Sequence, residues 1–239
     1  KIEKLDLKLP DKMNITKRKL NEMECVDILN KFGLNCNKGK LIRDINDIKN
    51  IYENTDNGYV MKVVSADIQH KTEVGGVALN IHSLSDAEIK YIEIIKNVKT
   101  IYPKAKIDGV MISPMVKGGI ETILGAKVDP VFGPIVMFGL GGVYTEVLKD
   151  ISFAEAPLNK KLAENMISRL NSSQIFYGAR GLKFDMTLLL DNIIKLSEFI
   201  YLHKDNVKEV EMNPLIIKKD NVIALDALIT MNLEGENYA

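Results

Sequence analysis

Three pairs of β-type runs, each pair separated by a polar or glycine-bearing link, constrain this chain more than any other feature. Residues 58–64 (GYVMKVV) and 77–81 (VALNI) flank a glycine-containing loop. Residues 109–117 and 120–128 are joined by Lys117-Gly118-Gly119, and residues 207–217 and 221–230 by Lys218 to Asp220. The first pair reads as strand, loop and strand, and the short links of the last two pairs predict hairpins. Helical patterns precede the first pair and separate the others. From about Lys17, the residues Leu20, Met23, Cys25, Ile28, Leu29 and Phe32 fall mostly on one helical face, and Gly33 stands where a left-handed C-terminal cap belongs. Ser85 to Ile101 opens acidic and closes with Lys96 and Lys99 ahead of Pro103. Further helical patterns cover 159–170 and 185–202, and strand-like IVMFG at 135–139 runs into a glycine cluster at 139–142. Helices interleaved with hairpins predict an α+β fold rather than a regular βαβ sheet. If the chain forms two subdomains, the turn between them falls at 114–119, where Pro114 and two glycines interrupt the β runs.

At 239 residues the chain is long enough to bury a sizeable core in one domain or two subdomains. Lys plus Arg and Asp plus Glu are equal at 32 each, so the summed field is weak and gives no reason to expect nucleic acid or an anionic membrane as partner. The two cysteines, Cys25 and Cys36, form no CxxC pair and have no histidine nearby, which argues against a disulfide framework or a zinc site. The most apolar stretch, 134–143, is about half as long as a membrane span and is broken by glycines. No basic-then-apolar leader opens the sequence. A soluble cytoplasmic protein is expected.

Several residues could carry chemistry. Lys62 lies inside an apolar strand, where its charge needs a partner such as a phosphate, unless the strand is half exposed and the lysine faces solvent. In SADIQHKTEVGGV (65–77), Gly75 and Gly76 allow close backbone approach to a ligand and could aim successive amides at an anion. His70, five residues earlier, can in principle attack phosphorus and release it again, although a lone loop histidine is more often a hydrogen-bonding surface residue. His82 and His203 end a strand and a helix and read as structural. In EVEMNPLII (209–217), Glu211 and Asn213 share a strand face, and hairpin pairing can bring Asp226 across from them. Three oxygen ligands would then suit magnesium (Mg2+) bridging nucleotide phosphates; the alternative is the polar outer face of a hairpin. FGLGGVYTEVLKD (138–150) and YGARG (177–181) are glycine-bearing segments next to charge, and Arg180 could hold an anion or sit in a surface turn.

These segments together resemble the β subunit, or β portion, of NDP-forming acyl-CoA synthetases of the acetyl-CoA synthetase (ADP-forming) type. The likeness runs from about 17 to 230 through VMKVVSADIQHKTEVGGVALNI, the long central MISPMVKGGIETILGAKVDPVFGPIVMFGLGGVYTEVLKDISFAEAPL with its Glu121, YGARG, and EVEMNPLII with LDA. The resemblance implies an ATP-grasp fold in which two α+β subdomains hold ATP or ADP: an N-terminal arm (1–16), a first subdomain (17–115) with the His70 loop, and a second (116–239). It also implies a separate α subunit or domain that binds CoA and carries a first phosphohistidine, assembled as α2β2 in the family's manner, with His70 as the second phosphohistidine. By the same resemblance Lys62 contacts nucleotide phosphates and Gly75 with Gly76 belong to the phosphate-covering loop. Pro114, Met115 and Val116 match the hinge facing the adenine, Glu121 lies just beyond it, and Asn213 and Asp226 match magnesium ligands. Glu211 is their neighbour, and Arg180 matches an arginine of unassigned duty. Ala66 departs from the family, which usually has proline there. A succinyl-CoA synthetase-like ligase subunit, or a nucleotide-binding regulatory module without turnover, is the alternative. The loop histidine argues against the first, and intact His70, Asn213 and Asp226 against the second.

Overall fold

A computed structural model describes residues 9–15, 19–53, 55–68, 70–142, 150–178 and 184–232. The first helix, α1 (Glu22–Lys31), is delimited at both ends by its own sequence. Asn21 caps it: its side-chain oxygen accepts the Glu24 amide at 3.0 Å while Glu24 returns a carboxylate to the Asn21 amide at 2.9 Å. This reciprocal box satisfies two N-terminal donors that would otherwise lack partners. At the other end Gly33 takes φ +92, with Leu34 donating to the Leu29 carbonyl and Gly33 to that of Asn30. The expected left-handed glycine cap is present, in its Schellman form.

The chain divides into two compact units that interleave in sequence: one is Asn21–Asp27 with Asn37–Lys117, the other Lys1–Leu20, Ile28–Cys36 and Gly118–Ala239. A division into an arm and two consecutive subdomains is therefore too simple at the N-terminal end, because part of α1 and the turn after it pack with the C-terminal half. The change of unit at Lys117/Gly118 falls within the expected turn at 114–119.

The unit containing residues 37–117 holds β1 (Lys40–Ile42), the short helix α2 (Ile48–Ile51), β2 (Tyr59–Val64), β3 (Val77–Ile81), α3 (Leu84–Ile101) and β4 (Gly109–Pro114). Its four strands run β1-β4-β2-β3, all antiparallel. Ser83 caps α3 by accepting the Asp86 amide, and the helix buries Ala87, Ile94 and Val98 against Met61, Val63, Ile81, Val110 and Ile112 of the sheet. Every residue of β2 is buried, so this strand is covered on both faces.

The other unit contains β5 (Ile120–Asp129), β6 (Gly133–Leu140), β7 (Ile151–Glu155), α4 (Lys160–Ser168), α5 (Met186–His203), β8 (Val207–Ile217), β9 (Val222–Ala224) and β10 (Ala227–Met231). The sheet order is β10-β8-β5-β6-β7, with β9 also on β8. Its core joins Leu189, Ile193, Leu196 and Ile200 of α5 with Leu124, Val136, Phe138, Val210 and Met212 of the sheet, all buried. His203, fully buried, accepts the Met13 amide on Nε2 and uses Nδ1 on the Phe199 carbonyl, the structural role expected of it. No described helix is long and apolar enough to cross a membrane.

The expected hairpin across Lys117-Gly118-Gly119 does not form. Both edges of β4 are taken by β1 and β2, and both edges of β5 by β6 and β8, so neither strand has an edge to offer the other. The glycines make a change of unit instead. The hairpin at β8–β9–β10 forms as expected, and β2 and β3 form as strands on either side of their loop and pair antiparallel, while nothing in the sequence marked β1 and β7.

Candidate functional site

The strand lysine does not face solvent. Lys62 is 8% exposed and donates from Nζ to Glu22 Oε1 at 2.9 Å. Glu22, 4% exposed, lies in the first turn of α1, and its second oxygen pairs with Lys71 Nζ at 3.1 Å. One carboxylate thus meets two ammonium groups, one on β2 and one on the residue after His70, and all three side chains are nearly dry. Charges this deep persist only when paired.

His70 itself is exposed, on the β2–β3 loop. The loop is pinned on both sides of it. Ahead of His70, Ser65 Oγ donates to the Lys106 carbonyl and accepts the Asp67 amide, Asp67 accepts the Lys106 amide, and Ile68 is buried in the core. After it, Val74 is buried, Gly75 donates to the Thr72 carbonyl, and Gly76 to that of Lys71. The glycine amides therefore close a turn rather than stand ready for an anion, which corrects the cradle reading of the Gly75-Gly76 pair. Glycine is required here for space and conformation. Gly75 has φ +64, and a Cβ at Gly76 would lie 2.7 Å from Val63 Cγ1 and 2.9 Å from the Lys71 carbonyl oxygen.

Pro114, Met115 and Val116 continue from the end of β4. Tyr59 pairs with Pro114, and the Met115 amide donates to the Gly58 carbonyl at 3.0 Å. Asn37 Nδ2 reaches Ser113 Oγ and the Pro114 carbonyl. This stretch is thereby held beside the start of the strand that carries Lys62.

The remaining candidates lie in the other unit, on the sheet face turned away from α5. Thr122 and Leu124 of β5 and Val210 and Met212 of β8 are fully buried, so the alternating residues Glu121, Ile123, Lys127, Glu209, Glu211 and Asn213 take the opposite face. A groove of about 280 Å³ runs over this face, lined by Ile123, Ile135, Met137, Phe153, Lys127 and Glu211 among others. Asn213 Nδ2 donates to Glu211 Oε1 at 3.0 Å, and the Asn213 amide donates to the Asp226 carbonyl at 3.2 Å. Asp226 occupies the bend between β9 and β10, and Leu225 donates back to the Pro214 carbonyl. Glu211, Asn213 and Asp226 are thus neighbours, as hairpin pairing led one to expect. Glu121 lies away from Glu211. It pairs with Ile216 while Glu211 pairs with Gly125, a separation of four residues along β5, about 13 Å at the strand rise. Glu121 instead borders the glycine cluster: its carbonyl accepts the Gly141 amide, and a Cβ at Gly142 would come within 3.1 Å of its Oε2.

Among the described residues no three His, Cys, Asp or Glu side chains converge as a metal cage. Magnesium does not need one, since it commonly uses one or two carboxylates and completes its shell with phosphate and water oxygens. With the Asn213 nitrogen turned to Glu211, its oxygen is the arm able to face a cation. The donor set of Asn213, Asp226 and Glu211 therefore fits magnesium with a nucleotide. Arg180 and all of 143–149, between the glycine cluster and Asp150, lie outside the described residues.

Sequence reasoning missed Glu22. Two acidic residues in a first helical turn look like ordinary partners of the helix dipole. The signal was its position: Glu22 lies three and four residues before Cys25 and Val26, both buried, and so falls on the inward face.

The sequence matches the ATP-grasp domain family over residues 12–231. It is 38% identical over 220 residues to the β subunit of the ADP-forming acetate–CoA ligase I of Pyrococcus furiosus, covering 91% of this chain and 94% of that subunit. The chain belongs to this ATP-grasp family. It is also 37% identical over 212 residues to the ADP-forming acetate–CoA ligase I of Archaeoglobus fulgidus, but there 88% of this chain spans only 31% of the relative's length. Among solved structures, the acetyl-coenzyme A synthetase 1 of Ca. Korarchaeum cryptofilum superposes with a TM-score of 0.74 at 30% identity, over 90% of this chain and 94% of that one. That structure contains coenzyme A and Mg-AMPPCP, with a phosphohistidine segment pointing towards the nucleotide binding site. The α+β ATP-grasp fold expected from the sequence is the one found.

Proposed function

We propose that this chain is the nucleotide-binding, phosphoryl-carrying part of an ADP-forming acyl-CoA synthetase. With a CoA-binding α subunit or segment it converts acyl-CoA, ADP and phosphate reversibly into acid, CoA and ATP, and acetyl-CoA is the first substrate to try. The observation that carries this reading is an exposed histidine, His70, on a loop whose next residue is tied through Glu22 to the strand lysine Lys62.

Phosphate displaces the CoA thiolate from the acyl carbon, giving an acyl phosphate. A histidine of the partner takes the phosphoryl group and releases the carboxylate. A nitrogen of the His70 imidazole then attacks that phosphorus and the partner's P–N bond breaks. Finally an oxygen of the terminal phosphate of ADP attacks, the His70–phosphorus bond breaks, and ATP leaves with the imidazole regenerated. Phosphoryl transfer calls mainly for alignment and charge neutralisation. Lys62 supplies positive charge to the nucleotide phosphates, Pro114 to Val116 border the base, and Glu121 adds a polar group to the nucleotide site. Asn213 and Asp226, with Glu211 beside them, would hold magnesium, which would supply charge neutralisation at the phosphates when bound. The relative's phosphohistidine segment and bound Mg-AMPPCP support both roles. An α2β2 assembly in the cytoplasm, as the family resemblance suggests, completes the proposal.

The test is ATP formation from acetyl-CoA, ADP and phosphate in the complex with the α partner. His70→Ala abolishes it while ADP binding persists. Wild-type rates in His70→Ala would refute the relay.

A further inference from the structure

Glu22 is used by nothing in the relay as described, yet it is among the most deeply buried charges of its unit. Its two oxygens are divided between two elements. Oε1 takes Lys62, in the middle of β2, and Oε2 takes Lys71, on the loop next to His70. Were Glu22 present only to neutralise a buried strand lysine, the contact with Lys62 would suffice. The second contact couples the loop to the same carboxylate.

The surroundings show what that coupling fixes. The Lys71 carbonyl closes the turn by accepting the Gly76 amide, and the Gly76 carbonyl in turn accepts the Val63 amide, one residue from Lys62. The Lys71 side chain and backbone are thus both tied to β2, the first through Glu22 and the second through Gly76. His70 lies immediately outside this fastening, exposed, with Ile68 and Val74 seated in the core on either side. Apolar anchors and backbone bonds hold the loop as a whole. The Glu22–Lys71 pair is a charged fastening next to His70, and the same carboxylate holds the lysine assigned to nucleotide phosphates.

We propose that Glu22 is a positioning residue for the transfer between His70 and the nucleotide. Resting on the phosphoryl-relay reading, it holds the His70 segment in register with Lys62, so that the carrier and the phosphate-binding lysine keep one geometry. A misplacement of about 1 Å at a reacting group can cost on the order of a hundredfold in rate, so loosening this fastening has a selective effect. It impairs the half-reaction in which His70 exchanges its phosphoryl group with the nucleotide more than the half-reaction in which His70 exchanges it with the partner subunit.

The experiment uses the complex of this chain with its CoA-binding partner and measures both half-reactions at His70. One is phosphorylation from Mg-ATP labelled on the terminal phosphate, and the other is phosphorylation from acetyl-CoA and labelled phosphate without nucleotide. Three proteins are compared: wild type, Glu22→Gln and Lys71→Met, the last of which leaves the Glu22–Lys62 pair in place. The expected result is a ratio of the nucleotide-side to the partner-side rate that falls about tenfold in both variants. Faster amide exchange over 70–76, where the Gly75 and Gly76 amides report the turn, accompanies it. A purely structural role lowers both rates together and leaves the ratio unchanged. An unchanged ratio in Lys71→Met overturns the proposal even if Glu22→Gln fails to fold. If wild type itself takes label from neither side, the relay reading has failed; if wild type is labelled and the ratio does not move, only the role of Glu22 has.

Discussion

At Asn213 the amide nitrogen is committed to Glu211, which leaves the amide oxygen as the arm for the proposed cation. Asp226 is brought alongside by a backbone bond from Asn213 and by the bend between β9 and β10. Asn213→Ala and Asp226→Ala should each weaken Mg-ADP binding about tenfold, or about 1.4 kcal/mol. In the presence of a chelator both should bind ADP as wild type does, and titration calorimetry with and without magnesium measures the difference. Equal magnesium dependence in all three proteins would remove these residues from the metal site. That they are neighbours could be read from the sequence, because period-two alternation and a short link between runs fix which residues of a hairpin meet. Lys62 shows where that reasoning fails. Alternation predicts a solvent face only when one side of a sheet is open, and β2 is covered on both. Its partner Glu22 lies 40 residues away, beyond any local pattern.

Between elements, the decisive feature is the turn at Gly118 and Gly119. Both have positive φ, +70 and +103, but they differ in their surroundings. A Cβ at Gly118 would meet nothing within 4 Å, whereas at Gly119 it would come within 2.6 Å of Ile216 Cγ2 and 2.8 Å of the Ile217 carbonyl oxygen. Gly118→Ala should therefore cost only the left-handed backbone term, about 1 kcal/mol. Gly119→Ala adds a clash with backbone that cannot rotate away, for a total of about 2–4 kcal/mol. Urea unfolding of the two variants compares them directly, and equal losses would contradict this reading of the turn. The glycine pair was visible in the sequence, and its hairpin interpretation was reasonable by length alone. What decides against it is edge occupancy in the two sheets, a property of strands distant in sequence. The cap at Gly33 was legible because a Schellman motif is entirely local.

For the molecule as a whole, the fold follows from interleaved helices and antiparallel strands sorted into two compact units, each with its own sheet and helix-covered core. Lys62 and Pro114 to Val116 belong to one unit, and Glu121, Asn213 and Asp226 to the other. The proposed phosphoryl carrier, His70, belongs to the first, on a loop that the structure pins rather than leaves loose. Any travel of His70 must therefore break named contacts, the Glu22–Lys71 pair foremost among the charged ones. The alternation of helices and hairpins made the fold class legible, whereas the interleaving of the units was not, since nothing in residues 28–36 marks which sheet they pack against. The central claim is that His70 carries the phosphoryl group, and mapping phosphate on this chain tests it most directly. The complex with the CoA-binding partner is incubated with Mg-ATP labelled on the terminal phosphate, quenched in alkali to preserve phosphohistidine, and digested for mass spectrometry. Acid-labile label on the peptide containing His70, absent from His70→Ala, is the predicted result; label confined to the partner, or ATP synthesis that continues in His70→Ala, would contradict it.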